Sequence, residues 1–255
     1  MRLKDKVIVI TGATSGIGKA LATKCVAEGG KVLIHGIDKQ AGENLVKQLG
    51  ENAKLCIADL NNQDSVEKII QQAISTFGKI DSLVNNAAII ERNNLAQITP
   101  DSFSKTIAIN LQSALFLIKA AFPYLKQVCG SVLNIGSINA YTGESSLLAY
   151  SISNAGLQTL TRNLANAHGS DGVRFNLINP GWILTDREYA DQVKKGLPNN
   201  WPDKLGKENI PFGKMSTPEQ LALACIYWIS DESIPFTGSV VDLEQFSIIG
   251  RNPEK

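Results

Sequence analysis

The sequence predicts an α/β fold, a parallel sheet of about seven strands doubly wound with helices on both faces, and three observations carry that prediction. Short apolar, β-branched runs alternate with longer stretches of helical periodicity along the whole chain. The first run, Val7 to Ile10, has no polar alternate position, as a strand buried on both faces requires. It enters a glycine-rich turn and then a helix, in the order Thr11-Gly12-Ala13-Thr14-Ser15-Gly16-Ile17-Gly18. Glycines there permit positive φ and close approach of another backbone, and a helix N-terminus presents free N–H groups, so the arrangement is Rossmann-like.

The remaining elements follow in order. Strand two is expected over Lys31 to His35 and a helix over Asp38 to Leu49. Strand three spans Lys54 to Ala58, and Asn62 to Phe77 repeats apolar residues at helical spacing through Val66, Ile69, Ile70, Ala73 and Ile74. Asp81 to Asn85 is strand four. Thr99-Pro100-Asp101 opens a helix with a cap, a proline at the first position and an acid in the first turn, and that helix runs to about Gln127. Ser131 to Ile135 is strand five, Tyr150 to His168 a helix, and Val173 to Ile178 strand six. Thr217 caps a helix to about Ser230, and Ser239 to Val241 closes the sheet. One domain over residues 1–255 is expected, with the proline-bearing stretch 181–216 as a lid over a pocket.

Composition narrows the function. A formal net charge of +1 gives no electrostatic case for nucleic acid or an anionic membrane. Two histidines and four dispersed cysteines, Cys25, Cys56, Cys129 and Cys225, each in an apolar context, exclude a histidine-rich metal site and favour structural thiols in a reducing compartment. No metal is expected. No run of 18 apolar residues and no signal peptide occurs, so a cytoplasmic location and no membrane span are expected.

The spacing T-G-x-x-x-G-x-G, with Thr11, Gly12, Gly16 and Gly18, resembles the short-chain dehydrogenase/reductases. The resemblance extends in order along the chain: Asn85-Asn86-Ala87-Ala88 is close to the family's N-N-A-G, Asn110 matches its active-site Asn, Ser137 and Tyr150 match its catalytic pair, and Pro180-Gly181 with Thr185 matches its nicotinamide-contacting P-G-x-x-x-T. It implies an oxidoreductase in which the Ser137 hydroxyl holds the substrate oxygen and the Tyr150 phenol exchanges a proton with it as hydride moves to or from nicotinamide. The implied cofactor contacts are Gly12, Thr14, Ser15, Gly16, Ile17, Gly18, Asp59, Leu60, Asn86, Ala87, Ala88, Tyr150, Asn154, Pro180, Gly181, Ile183 and Thr185. In the family an acid at the position of Gly36 marks NAD, and a cation at the next position or in place of Ser15 marks NADP. Gly36 and Ile37 carry neither signal, so NAD is favoured with Asp38 as ribose partner, and NADP stays open through Lys39. Asp59 reads equally as a helix cap, and a buried Asn110 must have its amide hydrogen-bonded whatever its role.

The pattern breaks at Asn154, which stands where Y-x-x-x-K has its lysine. An amide can donate to a hydroxyl but carries no charge. A cation about 4 to 5 Å from a phenol, at an effective dielectric near 20, is worth roughly 3 to 4 kcal/mol, or about 2 to 3 pKa units. Slow turnover that rises at high pH is therefore expected. Asn154 is compatible with an introduced substitution, a naturally weakened enzyme, or a nucleotide-binding relative without turnover, such as a sensor or assembly partner. The tail also departs from the family's D-G-G, reading Asp242-Leu243-Glu244-Gln245. Substrate candidates are Ser137, Asn139, Glu144, Tyr150, Trp182 and Glu188, with Glu91, Arg92, Tyr141, Tyr189 and Trp201 as further pocket candidates. Polar groups beside rings suit a sugar or polyol. The resemblance also implies a homotetramer or homodimer built on the helices holding Asn110 and Tyr150.

Overall fold

A computed structural model describes residues 1–62 and 64–246. Seven strands form one parallel sheet: β1 (Val7–Ile10), β2 (Lys31–Gly36), β3 (Ala53–Ile57), β4 (Ser82–Asn85), β5 (Ser131–Ile135), β6 (Arg174–Pro180) and β7 (Val240–Leu243). Their order is β3-β2-β1-β4-β5-β6-β7, with every neighbouring pair parallel. The chain reverses its direction of travel between β1 and β4. Such a switch point leaves a crevice outside the carboxyl ends of those strands.

The period-two pattern of the strands sorts the core into two layers. Ile8 and Ile10 point to one face, where α1 (Gly16–Ala27) contributes Leu21, Ala22 and Cys25, and α9 (Pro218–Ile229) contributes Leu221, Cys225 and Ile226. Val9 points to the other, against Ile69, Ile70 and Ala73 of α3 (Asp64–Phe77) and Leu117, Ile118, Ala121 and Leu125 of α5 (Ser113–Gln127). Helix α2 (Lys39–Leu49) adds Leu45 to the first layer, and α7 (Leu148–His168) adds Ala165 to the second. The Thr99 and Thr217 helix starts are full capping boxes, each with proline in the first turn.

The 28-residue helical run Pro100–Gln127 is by length and composition apolar enough to cross a membrane. Its apolar side is instead a main component of the second core layer. It consists of α4 (Pro100–Ile107), a π turn over Ala108–Gln112 and α5. All four cysteines are free, and Cys129, expected in an apolar setting, is exposed at the turn before β5. No cluster of metal-ligating side chains occurs among the described residues.

The stretch 181–216 is more regular than its sequence suggested. It contains α8 (Asp186–Lys194) and a 3₁₀ turn at Trp201–Lys204. Trp201, Ile210 and Met215 are buried in a small core of their own, with Trp182, Leu184, Val193 and Leu205 packed on it. Trp182 stacks on Trp201 at a centroid distance of 5.7 Å. Helical periodicity was hard to see here because α8 is short and polar and buries no residue fully.

Candidate active site

The glycine-rich turn is held from three sides. Thr11 Oγ1 accepts from the backbone N–H groups of Asn86 and Ala87, both at 3.0 Å. Asn86 Nδ2 donates back to the carbonyls of Thr11 (2.9 Å) and Gly12 (3.1 Å), joining the ends of β1 and β4. His35, buried at the end of β2, completes the clamp: Gly12 N–H donates to Nδ1 at 3.4 Å, and Nε2 bonds the Ala58 carbonyl at 3.0 Å. Those partners fix the neutral Nε2–H tautomer, and burial lowers the His35 pKa.

This turn fits a dinucleotide. Gly12 has φ +62°, and a Cβ there would stand 2.8 Å from the Ala87 Cα. A Cβ on Gly18 would run into the Gly12 carbonyl and lie 2.6 Å from Asn86 Nδ2. The N–H groups of the first turn of α1 have no acceptor inside the helix, and Ser15 at its N-cap makes no side-chain cap bond. A concave, donor-rich surface therefore faces the switch point.

The carboxylates expected at an adenosine also serve the local backbone. Asp38 Oδ1 accepts from Ala41 N–H at 2.9 Å as the N-cap of α2, and Asp59 Oδ1 accepts from Asn61 N–H at 2.9 Å. Asp59, Ile37, Asn62 and Lys68 line a shallow hollow. Gly36 packs against Thr14, whose Cγ2 would be 2.5 Å from any Cβ at that position, so an acid there would displace Thr14.

The other loops at the same edge of the sheet enclose a cavity of about 490 Å³ containing Ser137, Tyr150 and Ile183. Ser137 follows β5, and Tyr150 lies in the first turn of α7. Gly136 N–H donates to the Ile178 carbonyl at 2.8 Å and Ile138 N–H to the Pro180 carbonyl at 3.2 Å, so the serine loop is tied to the Pro180 loop. Of the predicted substrate residues, Asn139, Glu144, Trp182 and Glu188 all line this cavity, as do Arg92, Pro180, Gly181 and Thr185. Glu188 Oε1 accepts from Trp182 Nε1 and Gln192 Nε2, both at 2.8 Å.

Four further candidates lie elsewhere. Glu91 pairs with Lys105. Tyr141 is placed with Gln158 and Asn179, while Tyr189 and Trp201 stack on each other within the 181–216 segment. Gln192, Leu147 and Ile90 line the cavity without having been singled out, because nothing in their local sequence distinguishes them. His35 was the legible omission. A buried-type strand ending in one of only two histidines signals a specific partner.

Around Tyr150 a continuous polar chain runs through buried side chains. Asn110 closes a two-way bond with Ile89, donating from Nδ2 to its carbonyl (3.0 Å) and accepting from its N–H at Oδ1 (2.9 Å). The π turn surrounding Asn110 presents the amide for this. Asn110 Nδ2 also donates to Ser153 Oγ (3.2 Å), and Ser153 Oγ donates to the Tyr150 carbonyl (2.8 Å). Asn154 Nδ2 donates to that same carbonyl at 2.8 Å, so the amide is folded back onto its own helix. Burial raises the Tyr150 pKa, and hydrogen bonding by Ser137 and then Asn154 offsets this only in part. Among the described residues no cation contributes to lowering it.

A parallel α/β sheet with a glycine-rich, donor-bearing turn at its switch point and a Ser–Tyr pair in the adjoining cavity is an arrangement suited to a nicotinamide-dependent oxidoreductase. Comparison with known proteins gives the family. A family model described as enoyl-(acyl carrier protein) reductase matches residues 12–244. An uncharacterized oxidoreductase of Thermotoga maritima is 34% identical over 251 residues, covering 96% of this chain and 98% of the relative. The 3-oxoacyl-[acyl-carrier-protein] reductase FabG of Salmonella typhimurium is 30% identical over 94% of this chain and 96% of its own. Meso-2,3-butanediol dehydrogenase of Serratia marcescens is 27% identical over 96% and 95%. The chain belongs to the short-chain dehydrogenase/reductase family. It is an NAD(P)-dependent oxidoreductase of that type.

Proposed function

We propose that this enzyme interconverts a small hydroxylated ketone and the corresponding secondary alcohol, and that at neutral pH it works as a reductase with slow turnover. The observation that carries the reading is the state of Tyr150. Its phenol is buried beside Ser137, and the neighbouring Asn154 brings no positive charge. A phenol with a raised pKa is protonated at neutral pH. It is then a ready acid for an alkoxide and a poor base for an alcohol.

When bound, the nicotinamide ring supplies or accepts the hydride. Residues Thr14 to Gly18, Asn86 to Ala88 and Pro180 to Thr185 are the proposed holders of that cofactor, with Asp59 and Leu60 at the adenine end. In reduction the Ser137 hydroxyl donates to the carbonyl oxygen. The Tyr150 phenol then gives its proton to the oxygen that becomes the alcohol, and the resulting phenolate recovers a proton from solvent. Asn110 and Ser153 act by position, holding Ile89 and the first turn of α7 in register. NAD is the proposed nucleotide: Lys39 already lies 3.8 Å from Glu43, a carboxylate with which a 2′-phosphate would compete. The polar wall of Asn139, Glu144 and Glu188, beside Trp182, supports a sugar- or polyol-like substrate, with the 181–216 segment as its lid.

Residues 1–255 are proposed to act as a single cytoplasmic domain in a homodimer or homotetramer. Leu115, Phe116 and Ile152, exposed on α5 and α7, support assembly through those helices. The test is initial rates with NADH and NADPH over hydroxylated ketones and a 3-oxoacyl thioester, and with the matching alcohols in reverse. Reduction should vary little from pH 6 to 8, while oxidation should rise about tenfold per pH unit. An oxidation rate already flat at neutral pH would defeat the reading. Nucleotide binding without turnover of any carbonyl would favour a non-catalytic nucleotide-binding role.

A further inference from the structure

The catalytic cavity continues outward. Ile90, Arg92, Thr185 and Glu188 also line an adjoining second hollow of about 340 Å³. The outer wall of that hollow is α8 and the residue after it, which contribute Arg187, Asp191, Lys194 and Lys195.

The charges there are unevenly matched. Arg92 Nη1 pairs with Glu144 at 2.8 Å, and Arg187 Nε lies 3.6 Å from Asp191. Glu188 already receives Trp182 and Gln192. Among the described residues Lys194 and Lys195 make no ion pair, although both are exposed at the mouth. Lys195 nevertheless acts across the opening. Burial raises the Glu144 carboxyl, but hydrogen bonds from Ser146 and Arg92 and the charges of Arg92 and Lys195 hold it below its ordinary range.

We propose that the outer hollow is an anion subsite. The substrate carries a carboxylate or a phosphate on the end remote from its carbonyl, received by Lys194 and Lys195 with Arg187 beside them. The inference rests on the proposed function, since it takes the inner cavity as the seat of the reacting carbon. The substrate class then becomes a sugar acid or a phosphorylated sugar or polyol rather than a neutral one. An exposed ion pair is individually weak, so recognition comes from the two lysines acting together and from their field at the entrance.

The probes are glucitol, gluconate and glucitol 6-phosphate, titrated calorimetrically into the nucleotide-loaded protein at low and high salt. At low salt one of the anions should bind about tenfold more tightly than glucitol, and the ratio should shrink at high salt. In a Lys194→Ala/Lys195→Ala double variant the ratio should fall towards one, and in Lys195→Glu lower still. Preference for gluconate assigns a carboxylate, and preference for glucitol 6-phosphate a phosphate. Equal affinity for all three, no measurable binding of any, or an anion preference that survives in the double variant overturns the proposal. Failure of the proposed function reads differently: no carbonyl is reduced although the anion preference stands.

Discussion

The two ends of the cleft are built on opposite principles. At the glycine-rich turn, shape comes from backbone and neutral hydrogen bonds: Thr11, Asn86 and His35 tie three strand ends together, and no charged side chain takes part. At Tyr150 the scaffold is just as well tied, through Asn110 and Ser153, yet the proposed chemistry depends on where one proton sits. On the proposed function, nucleotide binding should follow the shape of the turn and turnover the protonation of Tyr150, so the two should be separable. The missing charge at Asn154 should then slow turnover far more than it weakens nucleotide binding.

The sharpest way to test that separation acts on Tyr150 and Asn154. Tyr150→Phe should lower turnover by about 10³-fold, within the usual range for a lost general acid, while nucleotide affinity measured by fluorescence titration changes less than about threefold. Asn154→Lys should raise alcohol oxidation at neutral pH by roughly 10²-fold and move its pH profile down by about 2 to 3 units. If Asn154→Lys leaves both rate and profile unchanged, the lost cation does not explain the slow step.

The opposite end should break in the opposite way. Gly18→Ala places a methyl against the Gly12 carbonyl and Asn86 Nδ2, both parts of the clamp. Overpacking of this kind typically disturbs a site by about 1 to 3 kcal/mol. Nucleotide affinity should fall by about ten- to hundredfold, while turnover at saturating nucleotide stays within a few-fold of the parent. A loss confined to turnover would contradict the separation.

How much of this was legible follows the same division. The strands, their order of appearance and the turn were readable because buried β-branched runs and glycines have few other uses. Ser137 and Tyr150 could be singled out from the family resemblance, and both line the cavity. What the sequence left hidden depends on chain folding rather than residue type. Asp38 and Asp59 read as ligand contacts, and spacing gives no sign that local N–H groups three and two residues on also bond one oxygen of each carboxylate. Trp201 read as a pocket ring, but an apolar segment without a neighbour in the main core builds its own core around it. The bending of Asn154 back to Tyr150's carbonyl is a rotamer choice that composition does not encode.

The smallest effect concerns the clamp's own titration. His35 is neutral in the folded state because burial lowers its pKa below the ordinary value near 6.5. As pH falls below about 6.5 the unfolded chain takes up a proton that the folded chain refuses, so stability declines down to the folded pKa. One such group sets a limiting slope of about 1.4 kcal/mol per pH unit. Protonation would also put a donor at Nδ1, facing the Gly12 N–H that now donates to it, so the glycine-rich turn should loosen with it. A thermal-denaturation series from pH 7.5 to 5 should therefore show nucleotide affinity and melting temperature falling together, in steps of the order this slope allows. In His35→Gln, which keeps polar atoms but cannot titrate, both should start lower and fall less over that range. If the wild-type and His35→Gln curves run parallel, the acid sensitivity belongs to other groups, and the neutral clamp owes nothing to its protonation state.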